Sequence, residues 1–181
     1  MRTDSQLAFV PIGGNLSLIA AAGVDIPSTN VIDLLGLGVG MAPNSIFGNT
    51  AVFGQADAMG VGGIRPELNV TIGTALVTGD SATLNVALQG AADDGTYNPS
   101  TWQTFAETGE LTAAQCAANT VIMRLPWLPP FPANLRPRFL RLLFQVPAAT
   151  AFSAGTIASA LVVPVRDDQF NKYGAKNFVV A

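Results

Sequence analysis

The chain has 181 residues, enough for one sizeable domain that buries a core without a disulfide or a structural metal. Charged residues make up 12% of the sequence, roughly half the usual share, while apolar residues make up 49% and the mean hydropathy is +0.39. So few charges cannot densely cover the surface of an ordinary soluble monomer, and we expect partners to bury part of that surface.

The composition also argues against several functional classes. The chain has no histidine and a formal net charge of −3, which removes the commonest general base and argues against an electrostatically driven nucleic-acid binder. The longest apolar runs, residues 16–24 and 157–165, are too short to span a membrane, and the N-terminus lacks the pattern of a secretory signal. Synthesis in the cytoplasm is expected. The single cysteine, Cys116, is interpreted as a small buried apolar residue.

The beginning of the chain predicts short extended elements. Residues 1–13 are interpreted as an N-terminal arm because they have mixed polarity and end near Pro11 and a pair of glycines. Residues 16–20 predict a first strand, and residues 28–35 predict a second extended segment.

A glycine-rich segment follows at residues 36–63, and glycine at this density weakens both helix and strand. The segment still carries Ile46, Phe47 and Phe53, which a disordered linker would rarely keep. We therefore expect a long loop or arm that packs on a neighbouring subunit.

The middle of the chain predicts strands and turns. Residues 68–72 and 84–88 alternate apolar and polar side chains, and the turn signal at residues 78–81 makes them the clearest predicted hairpin. Asp93, Asp94 and Gly95 predict the next turn, and a short strand is expected around residues 102–105.

The later part of the chain contains the only predicted helical piece, one or two turns at residues 111–119 that Thr112 could cap. The proline-rich run at residues 126–132 cannot form a regular helix or a central strand. The last predicted strands are residues 121–125, 138–146 and 155–165.

About eight short strands with almost no helix predict an all-β fold, a jelly roll or β-sandwich of antiparallel strands. Residues 1–181 are expected to form one such domain. Its predicted appendages are the N-terminal arm at 1–13, the glycine-rich loop or arm at 36–63 and a C-terminal tail at 166–181.

Motifs for catalysis and metal binding are missing from the sequence. There is no phosphate-binding loop and no GxSxG, and a Ser-His-Asp triad cannot be built without histidine. Asp93 and Asp94 are interpreted as solvated turn residues that point in different directions, not as a glycosidase pair or a calcium loop. We therefore predict a protein that is not an enzyme and that uses no cofactor or metal.

Four arginines follow one another closely in the sequence: Arg124, Arg136, Arg138 and Arg141. Strand alternation places Arg138 and Arg141 on opposite faces, with residues 140, 142 and 144 on the face of Arg138, which does not make a nucleic-acid patch. The interpretation is an edge or barrel-end strand whose arginines pair with carboxylates, and a role at a subunit interface is equally open.

The aromatic residues Trp127 and Phe131 lie in the proline-rich run. Exposed aromatic rings stack on sugars, so a carbohydrate-binding or host-surface-binding module is the alternative function. Packing in the core or in a loop is the simpler interpretation of both rings.

Three segments resemble a known family. They are STNVIDL at residues 28–34 with a following Gly-x-Gly, RFLRL at 138–142, and AGTIASA at 154–160. In type and order they resemble the capsid cement proteins of podophage type first described in a Bordetella phage. The resemblance spans about residues 28–40 and 66–165, and no motif in it is catalytic. The glycine-rich segment, the PWLPPFP run and the aromatic tail depart from the family.

The resemblance implies a jelly roll on the outer surface of an icosahedral phage capsid. It also implies a structural virion protein, a cement or decoration protein, that contacts the major capsid protein. We further expect self-association as a homodimer or homotrimer, and no binding to nucleic acid or membrane. The candidate interface residues are Ile46, Phe47, Phe53, Trp127, Phe131, Arg136, Arg138, Arg141, Phe170, Tyr173 and Phe178.

Overall fold

The computed structural model describes residues 8–33, 66–96, 98–126, 137–147 and 150–164. In these residues the chain is nearly all β, with one turn of 3-10 helix at Ala113–Gln115. The strands are β1 (Ala8–Val10), β2 (Leu16–Ser17), β3 (Ile26–Pro27), β4 (Ile32–Asp33), β5 (Pro66–Ile72), β6 (Thr83–Ala91), β7 (Gln103–Glu107), β8 (Leu111–Thr112), β9 (Val121–Pro126), β10 (Phe139–Gln145) and β11 (Thr156–Pro164).

The strands form two antiparallel sheets. The first sheet has the order β1-β11-β5-β9, with β2 also pairing with β11. The second has the order β3-β10-β6-β7, with β4 also pairing with β10 and β8 with β6. The predicted all-β sandwich is therefore confirmed.

The pairing is nested along the chain. The earliest strands, β1 and β2, pair with the last strand β11, and β3 and β4 pair with β10. Further inward, β5 pairs with β9 and β6 with β7. This folding of the first half of the chain against the second half in reverse order is compatible with a jelly roll.

The core lies between the two sheets and comes from the alternation that the sequence predicted. Every second side chain of β5, β6 and β10 points inward, because successive residues of a strand face opposite sides. The following residues of these strands are 0% exposed: Leu68, Val70, Ile72, Leu84, Val86, Leu88, Leu140, Leu142 and Phe144.

The hairpin predicted across residues 68–88 is wrong. β5 and β6 belong to different sheets, so residues 73–82 cross from one sheet to the other. The turn chemistry itself is present, because the Thr78 hydroxyl accepts hydrogen bonds from the backbone N–H groups of Asp80 and Ala82, both at 3.1 Å. The same hydroxyl donates to the Ala151 carbonyl at 3.1 Å, which ties the turn to a distant connection.

The helix predicted at residues 111–119 is limited to one 3-10 turn, Ala113–Gln115, and the predicted cap Thr112 is its N-cap. Leu111 and Thr112 instead pair with β6. The side-chain oxygen of Gln115 accepts hydrogen bonds from the backbone N–H and the hydroxyl of Thr112, at 2.9 and 3.0 Å. The turn stops where Cys116 enters the core with 0% exposure.

Residues 8–10 of the predicted N-terminal arm belong to the sandwich. Ala8–Val10 form β1 and pair with β11, and Phe9 and Val10 are 0% exposed. Burial of these two apolar side chains fixes a segment whose mixed polarity suggested an arm. Residues 1–7 lie outside the described residues, as do the predicted glycine-rich loop at 36–63 and the tail at 166–181.

The two ends of the sandwich are built differently. Connections at residues 18–25, 73–82 and 113–120, and the described residues 146–147 and 150–155 between β10 and β11, lie at one end of the sandwich, here called the crossover end. Hydrogen bonds join them there, for example from the Leu76 N–H to the Cys116 carbonyl at 3.2 Å. The opposite end, here called the clamp end, contains the outer limits of seven strands: Ala8, Asp33, Pro66, Ala91, Pro126, Phe139 and Pro164.

Candidate functional site

Arg138 lies at the clamp end, immediately before β10, and contacts two carboxylates. Its Nε and Nη2 donate hydrogen bonds to the two carboxylate oxygens of Asp33 at 3.0 and 2.9 Å, and its Nη1 donates to Asp93. The planar guanidinium matches a carboxylate with two parallel bonds, which makes this the strong form of an ion pair. Arg138, Asp33 and Asp93 are called the Arg138 cluster below.

Strand pairing brings the Arg138 cluster together from distant parts of the chain. Asp33 ends β4 and pairs with Phe139, and Ala91 of β6 pairs with Phe139 from the other side. The backbone N–H of Arg138 also donates to the Ala91 carbonyl at 2.9 Å. The cluster therefore fastens β4, β6 and β10 to one another at the clamp end.

The cluster is largely shielded from water. The side chain of Arg138 is 14% exposed, and those of Asp33 and Asp93 are 29% and 30% exposed. The hydrogen bond to Asp33 is the main reason that the pKa of Arg138 is raised above its ordinary value. Burial opposes this increase, and the charge and hydrogen bond of Asp93 add to it.

The chain segments that were predicted to contact other subunits all attach at the clamp end. The described residues stop at Asp33, the end of β4, and resume at Pro66, the start of β5. The strand registers set Pro66 opposite Pro164 and Glu67 opposite Pro126, so these ends are neighbours. The attachment points are Ala8 for residues 1–7, Asp33 and Pro66 for 34–65, Pro126 and Pro137 for 127–136, and Pro164 for 165–181.

Arg141 lies on the outer face of the second sheet. Its Nε donates a hydrogen bond to the Gln89 side-chain oxygen at 2.9 Å, and the Gln89 amide donates to the Thr104 hydroxyl at 3.2 Å. The guanidinium lies over the Trp102 ring, 4.2 Å from its centroid, which is a cation–π contact. These four residues, called the Arg141 row below, align because Arg141 pairs with Gln89 and Gln89 with Thr104.

The electrostatic surroundings of Arg141 are the reverse of those of Arg138. In the part of the chain that the structure describes, both ion pairs belong to Arg138 and Arg141 has none. Burial lowers the pKa of Arg141, and the charge of Asp25 opposes this change only in part. Arg141 is thus a partly buried cation that no carboxylate touches within the described residues.

Glu107 lies on the same outer face, at the end of β7. The Asn85 side-chain amide donates a hydrogen bond to its Oε2 at 3.1 Å and another to the Gln145 side-chain oxygen, also at 3.1 Å. Among the residues described, no cation pairs with Glu107. The face therefore carries one cation and one carboxylate, each held by a neighbouring amide.

Arg138 and Arg141 are the candidate interface residues that the structure describes. The predicted pairing with carboxylates is confirmed for Arg138, whereas Arg141 contacts Trp102 and Gln89 instead. The prediction of an edge strand is wrong, because β10 lies between β3 and β6. The remaining candidates lie outside the described residues: Ile46, Phe47, Phe53, Trp127, Phe131, Arg136, Phe170, Tyr173 and Phe178.

The turn after β6 uses its two carboxylates differently. Asp93 contacts Arg138, whereas Asp94 accepts hydrogen bonds from the hydroxyl and the backbone N–H of Thr96, both at 2.7 Å. The hydroxyl bond is the main reason that the pKa of Asp94 is lowered. The prediction that the two carboxylates point in different directions is confirmed.

No group of three or more Cys, Asp or Glu side chains that could hold a metal ion occurs among the described residues. The described part of the chain also contains no helix long and apolar enough to cross a membrane. Burial raises the pKa of the Cys116 thiol to about 11, as expected for a cysteine that packs as an apolar residue.

Sequence comparison adds no relative. The chain matches no protein-family model and no curated protein. Function is therefore argued from the two arginine sites and from the clamp end.

Proposed function

We propose that this chain is a capsid cement protein of a tailed bacteriophage. In this role a jelly-roll domain binds the outside of an icosahedral shell and stabilises it by bridging major capsid protein subunits. The protein is made in the bacterial cytoplasm and ends on the outer capsid surface. It acts through contact area and needs no catalytic group or cofactor.

The observation that carries the proposal is the attachment of every predicted contact segment at the clamp end. Segments 1–7, 34–65, 127–136 and 165–181 begin or end there, beside the Arg138 cluster. A fixed attachment point reduces the conformational entropy that a segment loses on docking. Segments that start from one end can reach several neighbouring capsid subunits on the same side of the molecule.

The composition of the crossover end also supports a role in a multi-subunit assembly. Its four connections contain only two charged residues, Asp25 and Asp80, along with exposed aliphatic side chains. Ile19 is 57% exposed and Val77 is 51% exposed. Apolar surface with few charges is typical of proteins that work packed among other subunits.

The energetic logic of a cement protein fits these features. Each buried apolar Å² contributes about 25 cal/mol before the costs of association, so wide, uncharged surfaces stabilise a lattice effectively. Symmetric repetition over the shell multiplies a modest gain per site. The nested strand pairing supports the jelly roll, although a fold of this kind serves many functions.

The proposal is tested by rebinding of the purified protein to shells. The probe is the capsid of the phage that encodes the chain, stripped of this protein, and binding is measured by co-sedimentation. The full-length chain should bind, and a variant with residues 43–59 replaced by a Gly/Ser linker of equal length should fold but not bind.

A matched control is Arg124→Gln, which changes an exposed residue on β9 and should leave shell binding intact. Failure of the full-length chain to bind would contradict the cement role. Full binding by the linker variant would contradict the role of the glycine-rich segment alone.

A further inference from the structure

The turn after β6 contains a peptide bond that is prone to a spontaneous reaction. Asp94 is followed by Gly95, and both residues are exposed. Glycine has no side chain to hinder attack by its backbone nitrogen on the preceding aspartate. Gly95 has a φ of +90°, a backbone conformation that residues with side chains rarely adopt. The turn therefore requires glycine at the position where glycine makes Asp94 most reactive.

The reaction at such a bond converts aspartate to isoaspartate in two steps. In the first step the glycine nitrogen attacks Cγ of the protonated carboxyl group, the nitrogen loses its proton, and the hydroxyl group leaves as water. In the second step water opens the resulting succinimide ring at the carbonyl carbon that belonged to the main chain. The main chain then runs through the former side chain. The mass is unchanged, and water is the only co-reactant.

The attacking nitrogen in this turn is occupied by a neighbouring carboxylate. The backbone N–H of Gly95 donates a hydrogen bond to Oδ1 of Asp93 at 2.9 Å. The second oxygen of that carboxylate, Oδ2, accepts a hydrogen bond from Nη1 of Arg138. Arg138 is itself fixed by its two hydrogen bonds to Asp33. Arg138 therefore positions the carboxylate whose bond to the Gly95 N–H must break before the nitrogen can attack.

The carboxyl group that would be attacked is occupied as well. Oδ1 of Asp94 accepts hydrogen bonds from the hydroxyl and the backbone N–H of Thr96, both at 2.7 Å, and from the backbone N–H of Asn98 at 3.3 Å. Hydrogen bonds of this kind favour the ionised form, and the Thr96 hydroxyl is the main reason that the pKa of Asp94 is lowered. An ionised carboxylate lacks the hydroxyl group that leaves in the first step, so these bonds also slow the reaction.

We propose that Asp94 is the site of isoaspartate formation in this chain, and that Arg138, acting through Asp93, is a positioning residue that slows this modification in the folded state. The hydrogen bonds that occupy the nitrogen form one connected network, so loosening the network at Arg138 frees the Gly95 N–H. Isoaspartate would lengthen the main chain by one carbon next to Asp93. The inference does not rest on the virion role, because the reaction takes place within the isolated chain.

The test is peptide mapping of the full-length chain during incubation at neutral pH, below its unfolding temperature. Isoaspartate is measured as a peptide of unchanged mass and altered retention time, and electron-transfer fragmentation assigns it to residue 94. The folded wild-type chain should react at least about tenfold more slowly than the same chain unfolded in urea, because several hydrogen bonds must break first. Arg138→Met and Asp93→Ala should each raise the rate in the folded chain by roughly fivefold, the effect of losing one hydrogen bond.

The matched control is Leu142→Ala, which lowers stability through the core without touching the turn and should leave the rate in the folded chain unchanged. Asp94→Glu should abolish the modified peptide, because the longer side chain does not form the five-membered ring. Circular dichroism verifies the fold of each variant.

Four results would overturn the proposal. They are an unfolded chain that forms no isoaspartate at residue 94, a folded wild-type chain that reacts as fast as the unfolded chain, an unchanged rate in Arg138→Met or Asp93→Ala, and an equal increase in Leu142→Ala. Shell binding is measured separately, so this proposal and the cement role can fail independently.

Discussion

Arg138 and Arg141 lie close together in the sequence, but their guanidinium groups have different surroundings. Arg138 forms ion pairs with two carboxylates of its own chain. Arg141 meets an amide and an indole, and its remaining donors find no acceptor among the described residues. Arg138 therefore links strands through ion pairs, whereas Arg141 is held by an amide and an aromatic ring.

The difference predicts that the two arginines contribute unequally to stability. An ion pair inside the fold ties strands together, so its removal should appear as lost stability. A cation that contacts only an amide and an aromatic ring should contribute less. The predictions below test this division, beginning with the largest expected effect.

The first prediction concerns the inward side of the strand that links the two sites. Leu142 is 0% exposed and lies in the core, next to the outward-facing Arg141. Leu142→Ala should lower the free energy of unfolding by about 2–5 kcal/mol, through lost apolar contact and a cavity. Urea denaturation measures it. A loss below about 1 kcal/mol would mean that the inward and outward assignments on β10 are wrong, and with them the placing of Arg141.

The second prediction concerns Arg138. Arg138→Met keeps the apolar stem but removes both ion pairs, so Asp33 and Asp93 lose the guanidinium that binds them both. The urea midpoint should fall by clearly more than for Arg124→Met, which removes an exposed arginine. Adding Asp33→Asn to Arg138→Met should cost less than the sum of the single changes, because the two residues are coupled. Strict additivity would contradict the cluster.

The third prediction concerns the pH dependence of stability, to which the buried thiol of Cys116 should contribute and the two arginines should not. Burial raises the pKa of Cys116 from 9.0 to about 11, so the unfolded chain releases its thiol proton first as pH rises. Stability should therefore be complete below pH 9 and should fall toward pH 11, by at most about 2–3 kcal/mol. Both arginines remain charged in this range. Cys116→Ala should remove this share of the loss, and an unchanged alkaline profile would contradict its burial.

The fourth prediction concerns Arg141 and is the smallest expected effect on stability. Arg141→Gln should lower the free energy of unfolding of the monomer by only about 0.5–1 kcal/mol, the value of an exposed cation–π contact. Urea denaturation measures this loss, with Arg124→Gln, which changes an exposed arginine of the other sheet, as the control. A loss as large as that caused by Arg138→Met would contradict the different roles assigned to the two arginines.

Sequence patterns predicted the strands well because the alternation of apolar and polar residues along a strand reflects which of its faces is buried. The alternation in β5, β6 and β10 follows from one face meeting the core, and the β-rich run of β11 was read from composition alone. Pairing was not predicted in the same way. Turn residues at 78–81 suggested a hairpin, but whether two strands share a sheet depends on partners elsewhere in the chain.

The candidate site was predicted only in part, for the same reason. Arg138 was expected to find a carboxylate, yet Asp33 lies 105 residues away in the sequence and no local pattern joins them. Asp93 was interpreted as a solvated turn residue because the turn signal is local, whereas its contact with Arg138 is set by the register of β6 and β10. The pairing of Arg141 with Trp102 depends likewise on three strands lying side by side.

The most direct test of the virion role is the copy number of this protein in purified virions, measured by quantitative mass spectrometry against the major capsid protein. The cement role predicts a ratio near one or a simple fraction of it, because the protein repeats with the shell lattice. A handful of copies per virion, or none, would contradict the cement role; a handful would favour a receptor-binding or carbohydrate-binding structure at the tail.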